Sequence, residues 1–328
     1  MTTTKIKLLY QQDDYVNFAQ GAVANLVQQY FDLVEYTPDM TYSHADTVIL
    51  TTFWRAKQPD TAWWYPFQQQ GFRIVVDHLY DSDVDTHSRL LNPFMLELRC
   101  GNWLWYNSAL ASAQAGYDQY QPQRDAQYSF IMLMNKIREH KDRVTQDLAS
   151  LLPHARWSYV ARDRDIGDPG ENDPTKIWHL YMSPEWYDTA AFSVVVESWM
   201  RTDRWVENPQ HPNYRTEVSE KIFKPIAYYH PFVCYGSEGT CRYLQREGFE
   251  TFSNLWSEEE EYDTILNDNQ RFEAVTPVVL DAVKNYSTAQ YDTLTEQKLR
   301  HNKHHYFDTA LIHRRFRTEI IDVIQEFL

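Results

Sequence analysis

Thr216–Gly236 reads TEVSEKIFKPIAYYHPFVCYG, and its reading decides the fold of the chain. Ser219 is a side-chain acceptor for the free N–H groups that open a helix, and Glu220 sits favourably at the positive end of the helix dipole. Ile222, Phe223, Ile226 and Ala227 then recur at helical spacing, giving one apolar face. Pro231 stops the helix, and Phe232–Tyr235 is a short apolar run closing on Gly236, which predicts a buried strand. A helix feeding a buried strand is the repeating unit of an α/β fold. The opening turn has two readings. Its unpaired N–H groups and the Lys221 ammonium can receive a phosphate or diphosphate, leaving Glu220 for a ribose diol. Alternatively, Ser-Glu-Lys is an ordinary capped helix start with solvated charges.

The same alternation runs through the rest of the chain. Strands are expected at Ile6–Tyr10, Thr47–Phe53 and Arg73–Val76, with helices over 14–31 and 61–70 between them, the latter ended by Gly71. The polar, turn-rich stretch Gly116–Arg124 is the best linker. Strands at Ser129–Met134, Trp157–Val160 and Phe192–Val196 follow, with a helix over His140–Leu151 and a charged loop over 161–177. Ser237-Glu238 should cap a helix that stops at Gly248, and Phe249–Phe252 should be a last short strand. The acidic run Ser257–Asp263 reads as a solvated loop, of which Tyr262 and Asp263 are the part to keep. Helices cover 270–285 and 295–327, the second with a stripe of Leu311, Phe316, Ile320, Val323 and Phe327. The expected organisation is an α/β domain over 1–124, a second over 125–295, and a C-terminal helix over 296–328.

Composition narrows the function. At 328 residues two domains are the default, and 43% hydrophobic content excludes disorder. The 11 Trp and 23 Tyr suit sugar or base stacking as well as core packing. A net charge of −15 disfavours a nucleic-acid backbone footprint, although Lys136, Arg138, Lys141 and Arg143 form a local basic cluster. Cys100, Cys234 and Cys241 form no C-x-x-C pair, so free thiols are expected. No apolar run approaches a membrane span and MTTTKIKLLY lacks a secretory pattern, so a cytoplasmic protein is expected. Oligomeric state is not readable.

The string SEKIFKPIAYYHPFVCYG, with Gly248-Phe249-Glu250-Thr251-Phe252 and Glu261-Tyr262-Asp263 after it, resembles the C-terminal signature of fucosyltransferase-like glycosyltransferases. Bacteriophage-type and bacterial members, with S/T-E-K-x-x-K-P-I followed by "GF-x-TF … YD", are the most similar. Tyr128–Arg143 resembles their strand and N-R-x-x-R-x-H-R loop, and Phe192–Ser198 their strand ending on an acid. The resemblance covers residues 128–306 and is far weaker in the first hundred. It implies a GT-B-like fold: two Rossmann-like domains facing across a cleft, with the C-terminal helix returning to the first. It also implies a nucleotide-diphosphate sugar as donor substrate, no further cofactor, and Glu220 and Lys221 holding the ribose and diphosphate.

A sugar nucleotide dictates the remaining roles. Charge builds on the departing diphosphate, so Lys221 and Arg138 should stabilise it, with Ser219, His140, Arg143 and Lys224 in support and Glu197 nearby at its strand end. An acceptor hydroxyl needs a base, for which Asp77 is the first candidate and Glu97 the second. Each is also readable as a loop or core acid. Asn102–Asn107 could be an acceptor platform or core. No metal site is expected: His301, His304 and His305 lack the H-E-x-x-H glutamate, and Asp83-Val84-Asp85 lies in a polar stretch. The resemblance implies a glycan as acceptor or, in the phage-type alternative, a hydroxymethylated DNA base, and a non-catalytic sugar- or nucleotide-binding protein on the same fold is the alternative of another class.

Overall fold

The computed structural model describes residues 5–11, 21–38, 40–52, 63–78, 87–89, 95–99, 103–162, 164, 184–198, 218–286 and 290–328. The chain divides into two compact units, Met1–Ala111 with Asp308–Leu328, and Ser112–Phe307. The sequence reading set its boundaries at 124/125 and 295/296.

The first unit opens with β1 (Lys7–Tyr10), α1 (Gly21–Tyr30), β2 (Asp32–Glu35) and β3 (Thr47–Thr52). After these come α2 (Tyr65–Gln69), β4 (Arg73–His78), β5 (His87–Arg89), β6 (Met95–Arg99) and α3 (Trp103–Gln114). Its sheet has the order β2-β1-β3-β4-β6-β5, parallel except for the β5–β6 edge. Parallel strands are covered on both faces, which is why β3 and β4 are near-continuous apolar runs. Leu9, Ile49, Ile74, Val76 and Met95 meet Trp64 and Phe72 in one core. Gly71, at φ 83, takes the left-handed turn between α2 and β4. Trp105 and Tyr106 are fully buried, so these two members of the aromatic cluster are core.

The second unit runs β7 (Tyr128–Met134), α4 (Glu139–Asp147), β8 (Ala155–Tyr159), α5 (Pro184–Asp188), β9 (Ala190–Val196), α6 (Glu220–Ala227) and β10 (Phe232–Tyr235). Then come α7 (Thr240–Arg246), α8 (Glu259–Tyr262), α9 (Asp268–Asn285) and α10 (Thr293–Tyr306). The sheet, β10-β9-β7-β8, is wholly parallel, and every residue of β9 and β10 is buried. Phe223 on the apolar face of α6 stacks on Tyr306 of α10 at 5.9 Å and meets Phe249 at 5.8 Å. The turn from α6 to β10 is clasped to β9. His230 Nδ1 lies 2.7 Å from Ser193 Oγ and its Nε2 2.7 Å from the Ala190 carbonyl. Burial drives this imidazole down to about 3, so it is neutral, donating from Nε2 and accepting from Ser193.

The remaining segment returns to the first unit as α11 (Thr309–Phe316), a π-helical turn (Arg317–Ile321) and α12 (Asp322–Phe327). Tyr106 donates to Glu319 at 2.8 Å, and Arg315 lies 5.4 Å over the Trp105 ring. The single helix expected over 295–327 is therefore broken, because Asp308 caps a new helix by accepting from Leu311 N at 2.8 Å.

Other local expectations are corrected. Phe249–Phe252 is not a strand: the Asn302 side chain takes both backbone groups of Glu250, at 2.7 and 2.8 Å, in place of a neighbouring strand. Helix α7 is capped not by Ser237-Glu238 but by Asp263, which accepts from Cys241 N at 2.9 Å and Arg242 N at 3.1 Å. The acidic run is not simply solvated, since Glu259 and Asp263 are buried. Gly116–Arg124 is packed within the second unit: Arg124 pairs with Glu296, and Lys303 donates to the Tyr120 carbonyl. Of the cysteines, Cys234 and Cys241 are buried free thiols. Cys100 and Asp83–Asp85 lie outside the described residues.

His230 stays neutral in the fold but charges near pH 6.5 in the unfolded chain, so it should withdraw stability as pH falls from about 6.5 toward about 3. The melting temperature of the protein is expected to drop along that limb, by an amount equivalent to a few kcal/mol, roughly one for each unit of pH. In His230→Gln, measured in the same buffers, the limb should be shallower.

Candidate functional site

In the second unit the chain lays β8 on one side of β7 and then crosses to β9 on the other. The order of strands reverses between β7 and β9, and outside the carboxyl ends of such a pair an open α/β sheet leaves a crevice that neither crossover covers. The segments leaving those two ends carry most of the residues singled out from sequence. Arg138, His140 and Lys141 follow β7; Glu197 follows β9, and Ser219, Glu220 and Lys221 open α6.

Glu197 organises this edge. It is 1% exposed and accepts from Ser219 N at 3.2 Å, from the Ser219 hydroxyl, and from Ser198 N at 3.3 Å. Burial raises its carboxyl above the usual range, with Glu220 adding to the rise and Lys221 and the Ser219 bonds opposing it. Ser219 Oγ in turn caps α6 by accepting from Lys221 N at 3.4 Å. The Lys221 ammonium folds back over that turn, 2.6 Å from Glu220 Oε1 and 3.3 Å from Ser219 Oγ. Burial alone would lower its pKa, but Glu220 and Glu197 reverse the sign, and the group is held as a cation. Lys221 is thus not directed into bulk solvent: its side chain is 17% exposed.

Lys141 was noticed in the sequence only as part of a basic cluster, yet it is the most unusual group here. It lies in the first turn of α4 and is 2% exposed. Among the described residues its ammonium has neither a hydrogen bond nor a carboxylate within ion-pair distance. Its pKa falls to about 8, chiefly through burial, then through Lys221 and Arg138, while Glu197 and Glu220 pull the other way. Sequence spacing could not show this, because a missing counter-ion is a property of the folded neighbourhood.

The other expected site residues divide. Arg138 is half-buried at the N-cap of α4, its N–H 3.3 Å from Tyr159 Oη, and within electrostatic reach of Lys141. His140 is buried with Nε2 3.0 Å from the Glu197 carbonyl, so it braces the end of β9. Arg143 is taken up between helices: it donates to Asn269 Oδ1 at 2.6 Å, lies 3.3 Å from Glu273 and packs over Phe272. Lys224 sits one turn along α6, half-buried. Asp77 and Glu97 belong by backbone to neighbouring strands, with Asp77 in register with Leu98 and Val76 with Glu97. Their side chains lie outside the described residues, and neither strand borders the reversal of strand order in the first sheet, which falls between β1 and β3.

Two further features stand apart from this edge. His301 and His305 are stacked 5.8 Å apart and place Nε2 on the carbonyls of Gly248 at 2.8 Å and Glu247 at 2.7 Å. Among the described residues no cluster of three or more His, Cys, Asp or Glu could hold a metal ion. A groove of about 510 Å³, lined by Gln121, Pro122, Arg124, Tyr229, Glu296 and Arg300, opens beyond the opposite end of α6 and shares no residue with the Glu197 cluster. None of the helices searched among the described residues is long and apolar enough to cross a membrane. Comparison with protein-family models, characterised proteins and solved structures returns no match.

The bonds from Ser219 set the order of losses expected on mutation. Ser219→Ala removes a helix cap and should cost about 1–2 kcal/mol. Glu197→Ala leaves Ser219 N and Oγ without their acceptor and should cost more, about 3 kcal/mol. Urea denaturation of both variants checks the order.

Proposed function

We propose that the chain is an inverting glycosyltransferase that takes a nucleotide-diphosphate sugar as donor and a hydroxyl group as acceptor. The observation that supports this reading is that Arg138, Glu220 and Lys221 stand together at the carboxyl edge of the sheet, beside the reversal of strand order. The start of α6 offers backbone N–H groups and Lys221 a fixed cation, both suited to a pyrophosphate. Glu220 gives a carboxylate that can accept from a ribose diol once the Lys221 ammonium turns to phosphate. Two units with largely parallel sheets are compatible with the GT-B plan, which assigns the donor to the second unit and the acceptor to the first.

The chemistry is a single displacement. An acceptor oxygen forms a bond to the anomeric carbon as the bond from that carbon to the β-phosphate oxygen breaks, inverting the centre. The electron pair leaves on the diphosphate, where Lys221 and Arg138 stabilise it. The acceptor proton passes to a carboxylate, with Asp77 the first candidate and Glu97 the second. Glu197, Ser219 and His140 hold the helix start in place, and Arg143 fixes α4 against α9.

Thermal shift with UDP-, GDP- and dTDP-sugars tests the donor site, since a ligand that binds only the folded state raises its melting point. One class should raise it, and Lys221→Ala should abolish the rise. Release of nucleoside diphosphate in the presence of acceptor should fall in that variant by roughly 100-fold or more. Nucleotide binding without any sugar transfer or donor hydrolysis would instead favour a non-catalytic binding protein.

A further inference from the structure

A cation with 2% of its surface exposed and no counter-ion is costly to keep, and folding alone gives no return for it. Among the described residues Lys141 is in that position, and the charged groups that act on it most strongly belong to the same edge. Arg138 stands at the start of its own helix, Glu197 at the end of β9, and Glu220 and Lys221 in the first turn of α6. Glu220 is already paired with Lys221, and Glu197 is occupied by Ser219 and Ser198. The formal charge of these five side chains is +1 with both carboxylates ionised and all three cations charged. Among the described residues, Lys141 therefore has no carboxylate within ion-pair distance.

We infer that Lys141 is a direct ligand of the phosphate group bound at this edge, and that the ligand's own negative charge is the counter-ion the fold withholds. The inference rests on the donor-site reading and deepens it. Two coupled cations on different elements, Lys221 on α6 and Lys141 on α4, suit a ligand with charge on adjacent phosphates. A diphosphate fits that demand better than a neutral sugar or a single carboxylate. Because the free protein holds Lys141 near its titration point, a bound diphosphate should restore the full ammonium and draw a proton from solution above neutral pH.

Calorimetry with inorganic pyrophosphate and with UDP, GDP and dTDP tests this, run near pH 7 and near pH 9 in buffers of different ionisation enthalpy. Wild-type protein should bind one of these with proton uptake and weaken as pH rises. Lys141→Met should bind roughly tenfold or more weakly, without the proton uptake, while Lys141→Arg should keep affinity and lose the pH dependence. The ligand-free Lys141→Met protein should melt higher than wild type, because an uncompensated buried charge has been removed. Unchanged affinity in Lys141→Met, or a lower melting point with no ligand present, would overturn the inference. Absence of binding by all four probes would overturn it together with the donor-site reading. Lys141-dependent pyrophosphate binding with no turnover of any nucleotide sugar would leave it standing and sink the transferase.

Discussion

The carboxylate of Glu197 is the fixed point of the second unit. It stands where β9 ends, out of contact with water, and both its oxygens are committed to the start of α6 and to the next residue along the chain. Hydrogen bonds to a carboxylate are stronger than neutral ones, which offsets part of the cost of burying the acid. Through them a strand end dictates where a helix begins, and with it the position of Glu220 and Lys221. His140 adds a second brace by reaching the Glu197 carbonyl from α4, so three separate elements are registered on one residue.

β9 is pinned at its other end by different chemistry. There the neutral His230 spans Ser193 and the Ala190 carbonyl, and Tyr291 donates to the Ala191 carbonyl. The amino end thus relies on uncharged hydrogen bonds, while the carboxyl end gathers ionised groups. Such a division suits a strand that must be rigid along its length and electrically active at one tip. The folding free energy of the rest of the unit holds these charges in place.

Much of this was legible in the chain. The contrast between Ser219, the apolar face of Ile222, Phe223 and Ile226, and the Pro231–Gly236 run gave α6 and β10 with little ambiguity, because caps, periodicity and breakers agreed. β9 was legible because an unbroken run of apolar residues has one comfortable home. What escaped depended on contacts distant in sequence. Asn302 imitates a strand partner for Glu250, Asp263 caps a helix from 22 residues away, and Glu259 is drawn into the interior beside Cys241. β2 (DLVE) and β6 (MLELR) carry charges within their runs, which hid them. Arg143 looked like a phosphate ligand because its helix starts near the site, but Asn269, Glu273 and Phe272 claim it from the side. Lys141 was visible only as one more basic residue in a cluster.

The first unit is assembled from both ends of the chain, Met1–Ala111 and Asp308–Leu328, while the second is one continuous segment. On the ribosome, the continuous segment can therefore reach its native state while the unit that emerged earlier still lacks its last helices. Until Arg315 and Glu319 have been made, Trp105 and Tyr106 lack the two contacts that those residues supply. The segment translated earlier thus completes its unit later than the segment that follows it, and apolar surface left open in that interval is where a nascent polypeptide misassociates.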